Sequence, residues 1–226
     1  MRILTVSDKV EPVLYGPHIR DRVGHVDLVL ACGDLPYYYL EYVVGLLDAP
    51  LFYVHGNHDQ VIARTMSGIP AAGSTISWGT DLHVRPVEHR GLLLAGLEGC
   101  RRYSPKRPFQ YTEAEMRWQA MQLGLKLWAN RLRYGRFVDI LITHAPPRGI
   151  HDDEDVPHQG FESYLAFMRA HRPRLLIHGH QHVYNRNAAT METQFEDTLV
   201  VNTYGYRVIE LEQKGSGWRI ASTAVA

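Results

Sequence analysis

Five short apolar runs in this chain each lead into a residue that can bind a metal ion, and that repetition narrows the folds open to it. Residues 3–6 lead into Ser7-Asp8, and residues 28–32 into Gly33-Asp34. Residues 51–54 lead into Gly56-Asn57-His58-Asp59, and 140–143 into His144-Ala145-Pro146-Pro147. The fifth run, 175–177, leads into His178-Gly179-His180-Gln181-His182. Apolar runs of this length bounded by Gly and Pro read as buried strands. In open α/β sheets the ligand crevice lies beyond the carboxyl ends of the strands. Oxygen and imidazole donors from five strand ends are therefore expected to meet in one place. That meeting point reads as a metal site, and the number of donors suits two metals.

The remaining sequence narrows the setting. A chain of 226 residues suits one compact domain over 1–226, and 45% hydrophobic with 21% charged residues is ordinary for a soluble globule. Lys plus Arg equal Asp plus Glu, 24 each, which gives no bulk pull toward nucleic acid or anionic membrane. No apolar stretch approaches the roughly 20 residues that cross a bilayer. The first residues run straight into the strand carrying Asp8, so no signal peptide is expected. Cys32 and Cys100 form no CxxC pair, and the expected compartment is the reducing cytoplasm.

Strand–helix alternation is expected first: strands at 2–6, 26–32 and 51–54, a helix at about 37–47, and a short helix after Asn57. In the helix at 37–47, Tyr38, Tyr42, Leu46, Val43 and Leu47 recur at three- and four-residue spacing, which predicts one buried face. Residues 67–80 read as a surface loop, followed by strands at 82–84 and 92–97. The longest helix is expected over 113–132, opened by a capping box of Thr112 and Glu115. Its Ala114, Trp118, Met121, Leu125, Trp128 and Leu132 form an apolar stripe that predicts packing on a sheet. A strand at 138–143, a loop at 145–160 and a helix at about 161–171 follow. The tail reads as strands at 199–202, 206–211 and 218–222. Two sheets with helices outside are the expected result.

Each motif has a chemical reading. Gly179-His180-Gln181-His182 sets two imidazoles two residues apart, able to serve adjacent metals, with Gly179 allowing close backbone approach. Asp34 is a natural bridge, since a carboxylate offers two oxygens to cations about 3.5–4 Å apart. Asn57 offers a neutral amide oxygen, and His144 an imidazole at the end of an apolar strand. His58 reads as a general acid or a charge clamp on the substrate. Asp59 either orients that imidazole or caps the following helix. Arg101, Arg102 and Tyr103 read as a solvated loop able to meet a phosphate, and His151 with Asp152, Asp153 and Asp155 as a solvated rim.

These motifs, in this order, resemble those of the calcineurin-like metallophosphoesterases, whose pattern is DxH, GD, GNHD or GNHE, a lone H, and GHxH. The resemblance implies a four-layer α/β/β/α sandwich with two mixed β-sheets and a dinuclear centre at the strand carboxyl ends. It further implies a hydroxide nucleophile held between the metals. One metal would take Asp34, Asn57, His144 and His180; the other, Asp8, Asp34 and His182, with His58 assisting at the substrate. The first motif departs from the pattern, since Asp8-Lys9-Val10 lacks the imidazole. The metal held by Asp8 and His182 is therefore expected to bind more weakly. Glu11 and His18 are candidate substitutes, with water the default replacement.

The expectation is a hydrolase that cleaves a phosphomonoester or phosphodiester on a small substrate, using two divalent ions of Mn, Fe or Zn. The rival readings are an inactive protein-binding scaffold and a nuclease.

Overall fold

The computed structural model describes residues 1–59, 79–183, 191–215 and 217–224. In chain order the described strands are β1 (Arg2–Ser7), β2 (Leu28–Ala31), β3 (Leu51–Tyr53), β4 (Gly79–Asp81), β5 (Val87–His89), β6 (Leu92–Leu97), β7 (Cys100–Arg101), β8 (Gln110–Tyr111), β9 (Ile140–Thr143), β10 (Leu175–His178), β11 (Glu192–Phe195), β12 (Thr198–Asn202), β13 (Gly205–Lys214) and β14 (Gly217–Ala224). The helices are α1 (Ile19–Val23), α2 (Tyr37–Leu47), α3 (Glu113–Tyr134) and α4 (Glu162–His171).

Two six-stranded sheets result, ordered β14-β13-β1-β2-β3-β4 and β11-β12-β10-β9-β6-β5, beside a small β7-β8 pair. Strands β1 to β4 run parallel, as do β6, β9, β10 and β12, while the other strands of each sheet pair antiparallel. Alternation along the apolar runs explains the layering, because successive side chains point to opposite faces of a strand. Leu28, Leu30, Phe52 and Val54 of the first sheet meet Leu94, Ile140, Ile142 and Ile177 of the second in one buried cluster. The outward residues Val29, Ala31 and Tyr53 pack with α1 and α2, and Leu141 and Leu176 with α3 and α4. The result is the expected α/β/β/α sandwich. The parallel strands of each sheet share a direction, so their carboxyl ends emerge on one side.

Two helices turn differently from expectation. The Thr112–Glu115 capping box is present, but the stripe of Trp118, Met121, Leu125, Trp128 and Leu132 faces solvent, with Leu132 84% exposed. The sheet instead takes Met116, Ala120, Leu123, Gly124 and Leu127. Close packing on α4 explains the choice: a Cβ on Gly124 would stand 2.8 Å from the His171 ring, so a small residue is required on that face. On α2, Tyr38 is likewise exposed, while Tyr39, Leu40, Val43, Val44 and Leu47 are buried. The strand expected at 82–84 is a single bridge at His83, the pairing having shifted to β4. The short helix expected after Asn57, and most of the loop at 67–80, lie outside the described residues.

Truncating Leu123, which is fully buried, leaves a cavity against the second sheet. Leu123→Ala is expected to cost about 3 kcal/mol, read as a lowered urea midpoint.

Candidate metal centre

The loops beyond β1, β2, β3, β9 and β10 converge, and their backbones are held in unusual conformations. Asp8, Asp34 and His180 all have positive φ (61°, 57° and 66°), a region that disfavours side-chain-bearing residues and that clusters at functional sites. Glycines make the approach possible. A Cβ on Gly179 would lie 1.9 Å from Ser7 Oγ and 2.4 Å from Asp8 Oδ2, and one on Gly56 would lie 2.0 Å from Asp34 Oδ1. Cross-bonds then fix the turns: the His180 N–H donates to Asp8 Oδ2 (2.8 Å), and the His58 N–H to Asp34 Oδ1 (2.8 Å).

Two groups of donors among the described residues are close enough to hold an ion. One is Asp34, His144 and His180; the other is His55, Asp81 and Glu98, with donor atoms in each within 4.8 Å of one another. In the first group the hydrogen bonds select the tautomers. His144 Nδ1–H donates to the Cys32 carbonyl (2.7 Å), which turns Nε2 toward Asn57 Oδ1 (2.9 Å) and Asp34 Oδ2 (3.4 Å). Asn57 is oriented in turn by its amide, which donates to the Tyr103 hydroxyl (3.1 Å). A nitrogen lone pair facing two oxygen acceptors needs something positive between them: a proton or a metal ion. His180 Nε2–H donates to the Pro157 carbonyl (2.8 Å), leaving Nδ1 as its donor atom.

The titration behaviour follows from this geometry. Burial lowers His144, but the Asp34 charge and hydrogen bond override it and lift the imidazole to about 9. Burial alone would raise Asp34; His144 beside it and the His58 N–H instead hold it at about 2. His180 is pressed down to about 3 by burial and by His144, so it is neutral, as a ligand must be. Burial pushes Asp8 up, with the His144 charge opposing and Asp34 adding to the rise. Asp8 Oδ1 is buried and has no hydrogen-bond partner among the described residues. A second cation would satisfy it, so the residues present fit divalent metals.

His182 Nε2 stands 3.9 Å from Asp8 Oδ1, its ring half exposed and stacked on Tyr204 at 4.8 Å. Val10 is turned to the helix-side core rather than to the site. His18 is exposed and pairs with Asp21, which removes it as a substitute ligand, and Glu11 pairs with Lys9 (3.1 Å). His58 is exposed beside Asp34. Asp59 Oδ2 accepts from the N–H groups of Gly56 (2.8 Å) and Asp34 (3.2 Å), so its described bonds hold the loop backbone and not the His58 ring. Burial, with the Asp34 charge adding to it against the Gly56 N–H, moves its pKa to about 6.

The neighbouring polar residues fall into place around this centre. The loop at 145–160 crosses the site: besides the bond to Pro157, Gln181 donates to the His158 carbonyl (2.7 Å), and the His158 ring lies 5.2 Å from that of His180. Arg101 pairs with Glu113 and Arg102 with Glu115. His151 is no solvated rim residue. It donates from Nδ1 to His178 Nε2 (2.9 Å) and accepts from the Thr193 hydroxyl (2.9 Å), while His178 Nδ1–H serves the Gly179 carbonyl.

Sequence reasoning missed His55 and Glu98. They form a buried pair (2.9 Å) beside the loop that carries Asn57, with His55 stacked on Phe109 and the Tyr111 hydroxyl donating to Glu98 (2.6 Å). The signal available was a lone His between an apolar run and Gly56, which has no specificity by itself.

Two sheets bring carboxylate, amide and imidazole donors to their shared carboxyl edge, in groups that could hold a metal ion. The chain belongs to the calcineurin-like phosphoesterase family, whose model matches residues 9–184. No curated protein matches the sequence. Among solved structures it is similar to TT1561 of Thermus thermophilus, with a TM-score of 0.65, 16% identity, and 98% of each chain covered. It is also similar to GAP50, the anchor in the inner membrane complex of Plasmodium, with a TM-score of 0.56, 13% identity, 99% of this chain and 87% of the other covered. At these identities the likeness is one of fold. No helix among the described residues is long and apolar enough to cross a membrane.

A methyl group at position 179 cannot fit beside Ser7 and Asp8. Gly179→Ala is expected to displace the His180 turn and lower bound metal per chain at least tenfold, measured by elemental analysis after manganese loading.

The His151–His178 relay carries a pH signature. Burial, with Arg207 next in effect, holds His151 at about 4 in the fold, against 6.5 for the free group, and burial pushes His178 down as well. Between those values the unfolded chain takes up protons that the fold excludes. The stabilisation is therefore complete above pH 6.5 and lost as the pH falls toward 4, on the order of 3 kcal/mol for His151. Urea midpoints across this window should fall less steeply for His151→Gln than for the parent.

Proposed function

We propose that this protein is a metal-dependent phosphoesterase that hydrolyses a small phosphomonoester or phosphodiester. The observation that carries the reading is His144 Nε2 directed at Asn57 Oδ1 and Asp34 Oδ2, a set of donors that a shared cation would satisfy together. Asp34, Asn57, His144 and His180 would hold one ion, and Asp8, Asp34 and His182 the other. Mixed oxygen and imidazole donors suit Mn, Fe or Zn. When bound, the ions supply acidity to a water molecule and positive charge to the phosphoryl oxygens.

The chain's own residues do the rest. Asp34 would serve both ions, and the His58 N–H holds its carboxylate in place. The Cys32 carbonyl and Tyr103 hydroxyl pre-set the orientation of His144 and Asn57, so little reorganisation is needed on metal binding. The exposed His58 imidazole would protonate the leaving oxygen. Asp59 keeps the Gly56 turn closed beneath it. Balanced charge favours a small substrate over a polynucleotide.

A scaffold reading has one observation in its favour, the valine at position 10, and the name of GAP50 describes an anchor built on this fold. The same variants separate the two readings. Asp34→Asn and His180→Ala should each cut hydrolysis of an aryl phosphate diester or monoester by a factor of at least 10³ and strip metal, with circular dichroism unchanged. Val10→His should leave metal stoichiometry unchanged, because that side chain is turned to the helix-side core. A parent protein that binds metal yet shows no turnover across a phosphoester panel would establish the scaffold reading instead.

A further inference from the structure

The outer face of α3 carries a feature that the metal centre does not use. Trp118, Met121, Leu125, Trp128 and Leu132 are 57, 49, 67, 55 and 84% exposed, yet they follow one another at steps of three and four residues. That is the 3.5-residue repeat of a coiled-coil seam, narrower than the stripe with which a helix packs on its own sheet. The sheet-facing side of α3 is a separate set, already buried, so the helix is apolar on two opposite faces. The exposed side chains present on the order of 600 Å² of surface from one helix, at the upper end of the largest apolar patch that an ordinary monomer leaves in contact with water.

We propose that this face is the seam of a two-fold symmetric homodimer in which α3 packs antiparallel against α3 of a second copy. Three observations select that occupant. A heptad stripe of this kind is self-complementary, which is what an isologous contact requires. The flank of the stripe is charged asymmetrically, with Glu115, which also pairs with Arg102, in the first turn of the helix and Arg133 in its last. Antiparallel pairing sets acidic end against basic end and opposes the two helix dipoles, whereas parallel pairing juxtaposes like charges. The area also suffices, because a standard interface buries about 800 Å² on each partner and the stripe alone supplies most of that. Beside Met121 a groove of about 370 Å³ between α3 and α4, walled by Ala120, Ala166, Phe167 and Ala170, opens on the same side and offers a recess for a partner side chain. In this arrangement the two-fold axis passes near Leu125, mid-helix, and both metal centres stay open.

Sedimentation equilibrium of the full chain between 1 and 100 μM tests the seam. The expected result is twice the monomer mass, and Leu125→Glu/Trp128→Glu should weaken association at least a hundredfold. Those two positions are exposed in the protomer, so circular dichroism and bound metal should not change. Orientation is read from single cysteines under mild oxidation, the native Cys32 and Cys100 being buried. Leu125→Cys should form an intermolecular disulfide and Leu132→Cys should not; efficient linking of both would mean a parallel pair and overturn the antiparallel arrangement. A monomer throughout the range, a dimer that survives the double substitution, or a monomer that instead binds phosphatidylglycerol vesicles would overturn the proposal.

Discussion

The bond from His144 Nδ1–H to the carbonyl of Cys32 joins the two sheets at the place where the chemistry is set. It fixes which nitrogen of His144 faces the site, and it does so across the sandwich, from the end of β9 to the end of β2. The bond can form only because the second turn closes tightly: a Cβ at Gly33 would lie 2.8 Å from that same Nδ1 and 2.4 Å from the Gly56 nitrogen. Three turns from two sheets are thereby locked to one another. Asp34, Asn57 and His144 inherit their positions from that lock and need no flexible loop to bring them together.

The cost of the arrangement is electrostatic. Acceptors and carboxylates are gathered where water is scarce, and the Asp34 charge beside His144 lifts that imidazole to about 9 while holding Asp34 at about 2. Asp8 is compensated less fully: the His144 charge, the Ser7 hydroxyl and the His180 N–H oppose its rise, but burial still lifts its pKa and Oδ1 has no hydrogen-bond partner among the described residues. The fold therefore holds two differently prepared half-sites. One is pre-oriented by hydrogen bonds to all its members; the other rests on Asp8 and a half-exposed His182.

Strand runs and their terminal motifs were legible because both are local. An apolar run announces a buried parallel strand, and its last residue is carried to the carboxyl edge by topology alone, which is why Asp8, Asp34, Asn57, His144, His180 and His182 all come to one side of the sandwich. The face a helix buries was not legible for α3, since two apolar periodicities overlap in one segment. The larger residues follow the seam spacing and dominate the pattern, while the sheet selects smaller ones around Gly124. Pairing partners of single polar residues were hidden for a related reason. His55 meets Glu98, and His151 meets His178, across separations in sequence that no motif encodes.

The departure at position 10 belongs to the same logic. Beyond β1 the chain makes a positive-φ turn at Asp8, and Val10 then packs against the cluster that holds Leu14, Tyr39 and Leu40, while the hydroxyl of Tyr39 accepts from the Glu11 N–H. The segment that follows the first metal-binding carboxylate is thus committed to the helix-side core. A valine there gains burial that an imidazole reaching into the site would forgo. The packing of Val10 is thus part of how the helix layer covers this sheet.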